Sequence, residues 1–600
     1  MAEEGEPEEA AKKKSKVDSY VDSTVNFFFS KDPRKWLILI VFLGALLRFL
    51  VASNISALGD EMVHGPHIMG FIQSGLISTI LHSPLWFYLG DLFVSIFGIS
   101  MFSLRFTSFF YGTLSIIAVY LIASKVFHKK IALYSSFLLA VSFFTIRYTL
   151  MEMDLSALFF LLFAIYFFIQ SLERSRFPLM AAVCIGVAAL IKTLALFFVP
   201  AFLIGFFLFR PGKENIRKNI RDLVVFGLII LVFFSPIIMH NYFWYKDKGM
   251  VDTYVAQYFD VGNVREAYKD QLGYDSGFLL STFFKGIPTM ARIIFNYDPL
   301  ISSLGILGLI LAFSKKHKRK YWWFLISFEV AGFLFLVLSN WLHTHYATMI
   351  PILCLFGGFF IHKFSKIFSK KIPRKYILPT MIIFILVFQL YLLFPHLTSS
   401  CGMCQARDYI SDNFEKEAIV IADARIYRGR IAFLFNEFHY LESSLFEDIL
   451  KLNEQLPGEN VATDAYFVEC ARDDCGWGTV SAGQLNDSSE HLVQQIASQF
   501  QAEAVFYGGG GYDEEAGEPY LKIYKIKLAL NPQITSAIDS THEWFYYPVN
   551  YEPREKIFDN YYVYGAADKI LYDLMKGIIL ISALLSLLLP LYLLMRLKKN

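Results

Sequence analysis

Several ionisable side chains stand where long apolar runs end. Asp60-Glu61 follow the first such run, His82-Ser-Pro84 opens a short apolar segment, and Arg105 opens the second long run. Further along come Arg147-Tyr148, Glu152, Asp154, Lys192 and His240, each at the edge of an apolar stretch. Charges at membrane depth are costly, and those that persist are functional candidates. A carboxylate can take the proton from an incoming hydroxyl as general base. Arginine or lysine can hold a leaving phosphate and stabilise its growing charge. That inventory suits group transfer from a phosphate-linked donor, with a lipid tail lying in the apolar grooves between helices. A second chemistry is open as well, in which Asp60, Glu152 and Asp154 bind Mg²⁺ or Mn²⁺ through oxygen ligands.

The composition dictates what must position these groups. Of 600 residues 55% are hydrophobic and only 18% charged, with a mean hydropathy of +0.44. Soluble domains lie near 45–50% apolar and about 25% charged. Phe alone supplies 61 residues and Tyr 34. A disordered, collagen-like or nucleic-acid-coating chain is excluded, and the chain reads as an α-helical polytopic membrane protein.

Apolar runs long enough to cross predict spans over residues 36–52, 104–124, 131–146, 155–171, 179–191, 194–209, 223–239, 299–313, 321–339, 347–361, 376–394 and 574–595, about twelve in all. The segment 84–100 is apolar but short and carries Asp91. Placed in the interface, it leaves the basic clusters at 12–16, 125–130, 210–221, 315–320, 363–375 and 596–599 on one side, as cytoplasmic loops require. The other side then receives a first loop of residues 53–103, the 147–154 corner, a long loop from His240 to about Asp298, and an acidic block. Four segments follow: a disordered cytoplasmic tail over 1–31, a membrane module over 32–396, an outer soluble domain over 397–572, and a final helix with its cytoplasmic end over 573–600.

The block from Leu397 to Tyr572 holds 28 Asp and Glu against 13 Lys and Arg, a balance of −15 in a chain whose net charge is +2. It reads as a small α/β unit. Residues 418–422 and 504–507 are buried-type strands, 521–527 alternates like a strand with one wet face, and 508–515 reads as a mobile hairpin loop. Cys401, Cys404, Cys470 and Cys475 lie here. An even count on an oxidising side predicts two disulfides with three pairings open, and the C-x-x-C spacing of Cys401 and Cys404 keeps a zinc site as the alternative. Two Asn-X-Ser sequons, at Asn54 and Asn486, also fall outside.

The ordered set Asp60-Glu61, His82-Ser-Pro84-Leu85, Gly98-Ile-Ser100 through Arg105-Phe-Thr-Ser108, Arg147-Tyr148 and Ile191-Lys192 resembles the GT-C membrane glycosyltransferases. The protein O-mannosyltransferases and lipid A aminoarabinose transferases stand nearest in pattern, over roughly the first 240 residues. The resemblance implies about twelve transmembrane helices and a polyprenyl (dolichyl) phosphate sugar as donor. It implies inverting transfer to a protein, glycan or lipid acceptor at the extracytoplasmic face. Asp60 would be the base, Glu61 its assistant, and Arg105, Arg147 and Lys192 candidates for the donor phosphate, with Glu152, Asp154, His82 and His240 also in the substrate site. The site would work without metal. Nucleic acid is not a partner; membrane lipids are. The pattern departs from the family where His-Pro-Pro-Leu becomes His82-Ser-Pro84-Leu85 and where the acid after Arg-Tyr is Glu152, followed by Asp154. The host membrane is the plasma membrane, or the endoplasmic reticulum in a eukaryote.

Plainer readings stand beside these. Lys192 can mark a span boundary, and His240, His343 and His345 can anchor an aromatic belt. Arg48, inside the first span, needs a partner within the bundle. A transporter or lipid flippase with an outer binding domain is the alternative function; against it, the sequence carries no internal repeat and its charges cluster at one rim.

Overall fold

The computed structural model describes residues 32–57, 61–70, 84–212, 215–249, 251, 280–313, 319–338, 343–368, 374–416, 418–426, 428–435, 437–472, 475, 487–507, 519–540 and 563–599. The 1–31 tail, Asp60, His82, Asn486 and the 508–515 loop lie outside that set.

The helices in chain order are α1 (Pro33–Asn54), α2 (Glu61–Gly70), α3 (Pro84–Phe97), α4 (Met101–Val126), α5 (Lys129–Val141), α6 (Phe143–Arg147), α7 (Met153–Glu173), α8 (Leu179–Ile191), α9 (Val199–Phe209) and α10 (Ile216–Lys248). They continue with α11 (Leu280–Tyr297), α12 (Pro299–Phe313), α13 (Arg319–Leu338), α14 (Ile350–Phe368), α15 (Arg374–Thr398) and α16 (Gly402–Asn413). Local chemistry sets the ends. Asp32 caps α1 by accepting from the Arg34 amide, with Pro33 in the first turn. Ser100 and Ser103 form a reciprocal capping box at the start of α4.

Among the described residues, eight helices are long and apolar enough to cross a membrane, and the pair of α11 and α12, bent by 116°, makes a ninth if it is one span. The chain is a multi-pass membrane protein. About twelve spans were expected, and three of them, 131–146, 179–191 and 194–209, are shorter helices here. The run 131–146 breaks at Ser142, which caps α6. The runs 179–191 and 194–209 part at Lys192, whose extended backbone ends α8. A 13-residue helix such as α8 is about 20 Å long at 1.5 Å per residue, short of a hydrocarbon core about 30 Å thick. The 14-residue α3 is likewise too short to cross. Within the connection from His240 to Asp298, α10 runs on to Lys248, and residues 280–297 are helical.

Small residues let the helices meet closely, as lipid-embedded packing requires. A Cβ on Gly308 of α12 would stand 2.0 Å from the Phe356 carbonyl oxygen of α14. Gly308→Ala is therefore expected to cost about 1–3 kcal/mol, as overpacking does. The check is the thermal unfolding temperature of the detergent-purified protein; an unchanged temperature would show that the helices can part freely.

Beyond α16 lies a sheet of β1 (Ile419–Ala422), β2 (His439–Glu442), β3 (Val461–Cys470), β4 (Ala504–Tyr507) and β5 (Pro519–Leu530), in the order β2-β1-β3-β5-β4. Its helices are α17 (Arg428–Phe435), α18 (Ser443–Gln455), α19 (Asp487–Gln499) and α20 (Pro532–Ser540), and the chain ends in α21 (Gly565–Lys599). Strands β1, β2 and β3 are parallel; β5 is antiparallel to β3 and to β4. Alternate residues serve opposite faces. Ile419, Ile421 and Phe467 pack with Phe446 and Val493, while Val420, Tyr466 and Val468 join the core shared with the helices.

Candidate active site

The first cluster is built on the end of α1. The last turn of a helix leaves carbonyls without partners, and the Arg105 side chain from α4 supplies them. Its Nη1 donates to the carbonyls of Ala52 at 2.7 Å and Ile55 at 2.8 Å, and its Nη2 donates to that of Ser56 at 2.9 Å. The remaining donors go to Glu61: Nε to Oε1 at 2.9 Å and Nη2 to Oε2 at 2.6 Å. All five guanidinium N–H groups are thus committed. Arg105, expected from sequence at the donor phosphate, ties the exit of α1 to the first residue of α2. Both oxygens of Glu61 are engaged by the same guanidinium, and the pair is buried at 0% and 5% side-chain exposure.

From Glu61, α2 carries His64 onto the corner between α6 and α7. The His64 Nδ1 lies 3.3 Å from the Met151 carbonyl; a carbonyl only accepts, so this nitrogen bears the proton. The Glu152 carbonyl, at the cap of α7, accepts from the Ser108 hydroxyl at 2.8 Å. Residues 61–64, 105–108 and 151–152 are thereby brought together.

The second cluster stands two residues further along. Asp154, fully buried, accepts from Lys192 Nζ at 2.6 Å on Oδ2 and from His345 Nδ1 at 3.0 Å on Oδ1. Lys192 Nζ is 3.4 Å from the same His345 nitrogen. Lys192 reaches this position because the chain turns extended at the end of α8, and His345 comes from a 3₁₀ turn ahead of α14. Both oxygens of Asp154 thus carry a hydrogen bond. Among the described residues, no group of three or more His, Cys, Asp or Glu side chains is placed to hold a metal ion.

Arg147 projects from α6, and its Nε donates to His396 Nδ1 of α15 at 3.1 Å. The break behind it is held by a polar network. Ser142 donates to Asp298 Oδ2 at 2.7 Å, and Gln389 donates to Asp298 Oδ1 at 2.9 Å while accepting from the Phe143 amide at 2.9 Å. Arg48 finds its partners here too, in the carbonyls of Gly44, Leu139 and Ala140 and the Thr145 hydroxyl. Those of Leu139 and Ala140 lie in the last turn before the break, where carbonyls lack helical partners. His240 lies within α10 with its ring 4.8 Å from that of Trp244. Sequence reasoning missed His64, Asp298 and Gln389, and took His345 for a belt residue; the signal available for Asp298 was an acid between two apolar runs.

Where α1 ends, Asn54 Nδ2 donates to the Leu397 carbonyl at 2.8 Å, and the buried Ser56 hydroxyl lies 3.8 Å from Cys401 Sγ. Of the three pairings open in the sequence, the chain adopts Cys401–Cys404 and Cys470–Cys475. All four sulfurs are in disulfides, which removes the zinc reading.

Residues 81–240 match the model of the family described as dolichyl-phosphate-mannose-protein mannosyltransferase. No curated protein matches the chain in sequence. Among solved structures, it is similar to ArnT from Cupriavidus metallidurans bound to undecaprenyl phosphate, with a TM-score of 0.53 and 11% identity, over 82% of this chain and 98% of that one. The apo form of the same protein gives 0.52 and 11%, over 82% and 97%. The apo oligosaccharyltransferase of Archaeoglobus fulgidus aligns at 0.42 and 14%, over 74% and 70%. The chain thus shares its fold with ArnT, and its residues 81–240 carry the segment that matches the mannosyltransferase family.

Proposed function

We propose that the protein transfers a sugar from a polyprenyl-phosphate donor to a protein, glycan or lipid acceptor at the extracytoplasmic face, inverting the anomeric carbon. Asp60 takes the acceptor's proton, and Glu61, clamped by Arg105, fixes the chain immediately after it. The observation that carries this reading is the docking of α2 onto the 147–154 corner, through His64 and Met151, beside the Asp154–Lys192–His345 cluster. It brings Glu61, His64, Arg105 and Ser108 beside the 151–154 corner and Lys192. Lys192 and Arg147 hold the donor phosphate in turn with their resting partners Asp154 and His396, so cation and carboxylate exchange partners when the lipid arrives. The ligand in the ArnT structure, undecaprenyl phosphate, has the chemistry this site requires. Residues 397–572 stand on the acceptor side.

The test is transfer of labelled sugar from a polyprenyl-phosphate donor in membranes containing the protein, read as release of polyprenyl phosphate. No release above membranes lacking the protein, across mannosyl, glucosyl and aminoarabinosyl donors, would sink the reading. Lys192→Met is expected to raise the donor KM about tenfold or more, the worth of one charge-assisted hydrogen bond, with a smaller change in kcat. An unchanged KM would remove Lys192 from the donor site.

A further inference from the structure

The outer sheet reverses its winding at β1, which has parallel neighbours on both sides, β2 on one and β3 on the other. Connections that leave such a strand in opposite directions open a crevice at its carboxyl end, the position where open α/β sheets bind ligands. Here that end is formed by Asp423 after β1, Cys470 at the end of β3, and Tyr520 at the start of the antiparallel β5.

Three guanidinium groups converge on it. Arg425 pairs with the buried Asp423 at 2.6 Å and donates to the Arg472 carbonyl at 3.0 Å. Arg430 donates to the Tyr520 hydroxyl and lies 5.6 Å from the centre of its ring. Arg472 lies 5.9 Å from the same ring. Tyr520 is 1% exposed, whereas Arg425 and Arg472 are half-buried. This gathering runs against its surroundings, since the block 397–572 carries a balance of −15. Guanidinium planes held against an aromatic ring are already ordered, and their paired donors match the two oxygens of a phosphate or carboxylate.

The crevice also touches the chain segment that precedes Asp60. Arg430 Nη2 donates to the Ala57 carbonyl at 3.4 Å, three positions before Asp60, and α17 packs against α2. We propose that this crevice binds an oxyanion, phosphate or carboxylate, carried by the acceptor, and so presents the acceptor's hydroxyl to Asp60. The donor's phosphate, tied to a lipid tail, belongs at the span ends with Lys192, not on the soluble sheet. The inference rests on the sugar-transfer reading above.

Inorganic phosphate is the probe, titrated against purified full-length protein with the thermal unfolding midpoint as readout. Arg472→Gln and Arg430→Gln are each expected to weaken the phosphate effect at least tenfold, and the exposed Lys451→Gln to leave it unchanged. Binding of a short-chain polyprenyl phosphate to Arg472→Gln is expected to stay within twofold of the parent. Should Arg430→Gln fail to fold, the half-buried Arg472 carries the test alone. Phosphate that does not bind, or that binds equally well to Arg472→Gln, overturns the proposal. A parallel loss of polyprenyl phosphate assigns the anion to the donor and overturns it too. An adventitious ion only, bound with the same affinity by Lys451→Gln, Arg472→Gln and parent, counts likewise against it. Failure of the sugar-transfer reading shows separately, as no release of polyprenyl phosphate by the parent protein while phosphate binding stays intact.

Discussion

Asp60→Asn is expected to lower sugar transfer by about 10²–10⁴-fold, the range over which a positioned general base contributes. The amide keeps the shape of the carboxylate and cannot take the acceptor's proton. Glu61 cannot step in, because both of its oxygens are held by the Arg105 guanidinium. Little residual activity should therefore persist, and the loss should fall on kcat with the donor KM nearly constant. Single-turnover transfer from labelled donor reads this directly, with the unfolding temperature as a check on the fold. Parent-like transfer by the variant would remove the base from this position and leave the cationic clusters as a binding site alone.

Arg105→Ala is expected to have the largest effect on stability. Removing one partner of a buried pair costs about 3–5 kcal/mol, because the other charge stays behind in a medium that cannot solvate it. Three carbonyls at the end of α1 lose their donors as well. Arg105→Lys should recover only part of the loss, since an ammonium offers three N–H donors where the guanidinium offers five. Glu61→Gln should be milder than either, because its amide oxygen still accepts. Yield of folded protein from detergent and its unfolding temperature rank the three variants. A phosphate-ligand role would predict the opposite pattern, with stable protein and a raised donor KM in Arg105→Ala.

The contrast shows what the sequence made legible. Composition and charge bias located the membrane runs, and three of the five strands lay at or near their positions because buried or alternating apolar residues mark them, as in Ile419–Ala422 and Pro519–Leu530. Strand β2 passed unnoticed at four residues, and β3 changes along its length from exposed at Val461 to buried at Cys470, so no single period describes it. The break at Ser142 was invisible inside the run 131–146, because hydropathy registers burial and not backbone direction, whereas Lys192 already parted the runs 179–191 and 194–209. Partner choice was the harder loss. Spacing placed Arg105, Arg147 and Lys192 near span ends, and nothing in spacing says that Arg105 would meet carbonyls, Arg147 a histidine and Lys192 a carboxylate. Asp298 and Gln389 meet only in three dimensions, 91 positions apart.

The tie between Asn54 and the Leu397 carbonyl has a consequence for the sequon it sits in. An amide nitrogen already donating at 2.8 Å, with the sequon's serine hydroxyl buried against a sulfur, offers no free face to a glycan-attaching enzyme. Any sugar would have to be attached before the first helix settles, and it would then wedge residues 397–401 away from the end of that helix. Mass spectrometry of the folded protein should find Asn54 bare: the triplet works here as a latch.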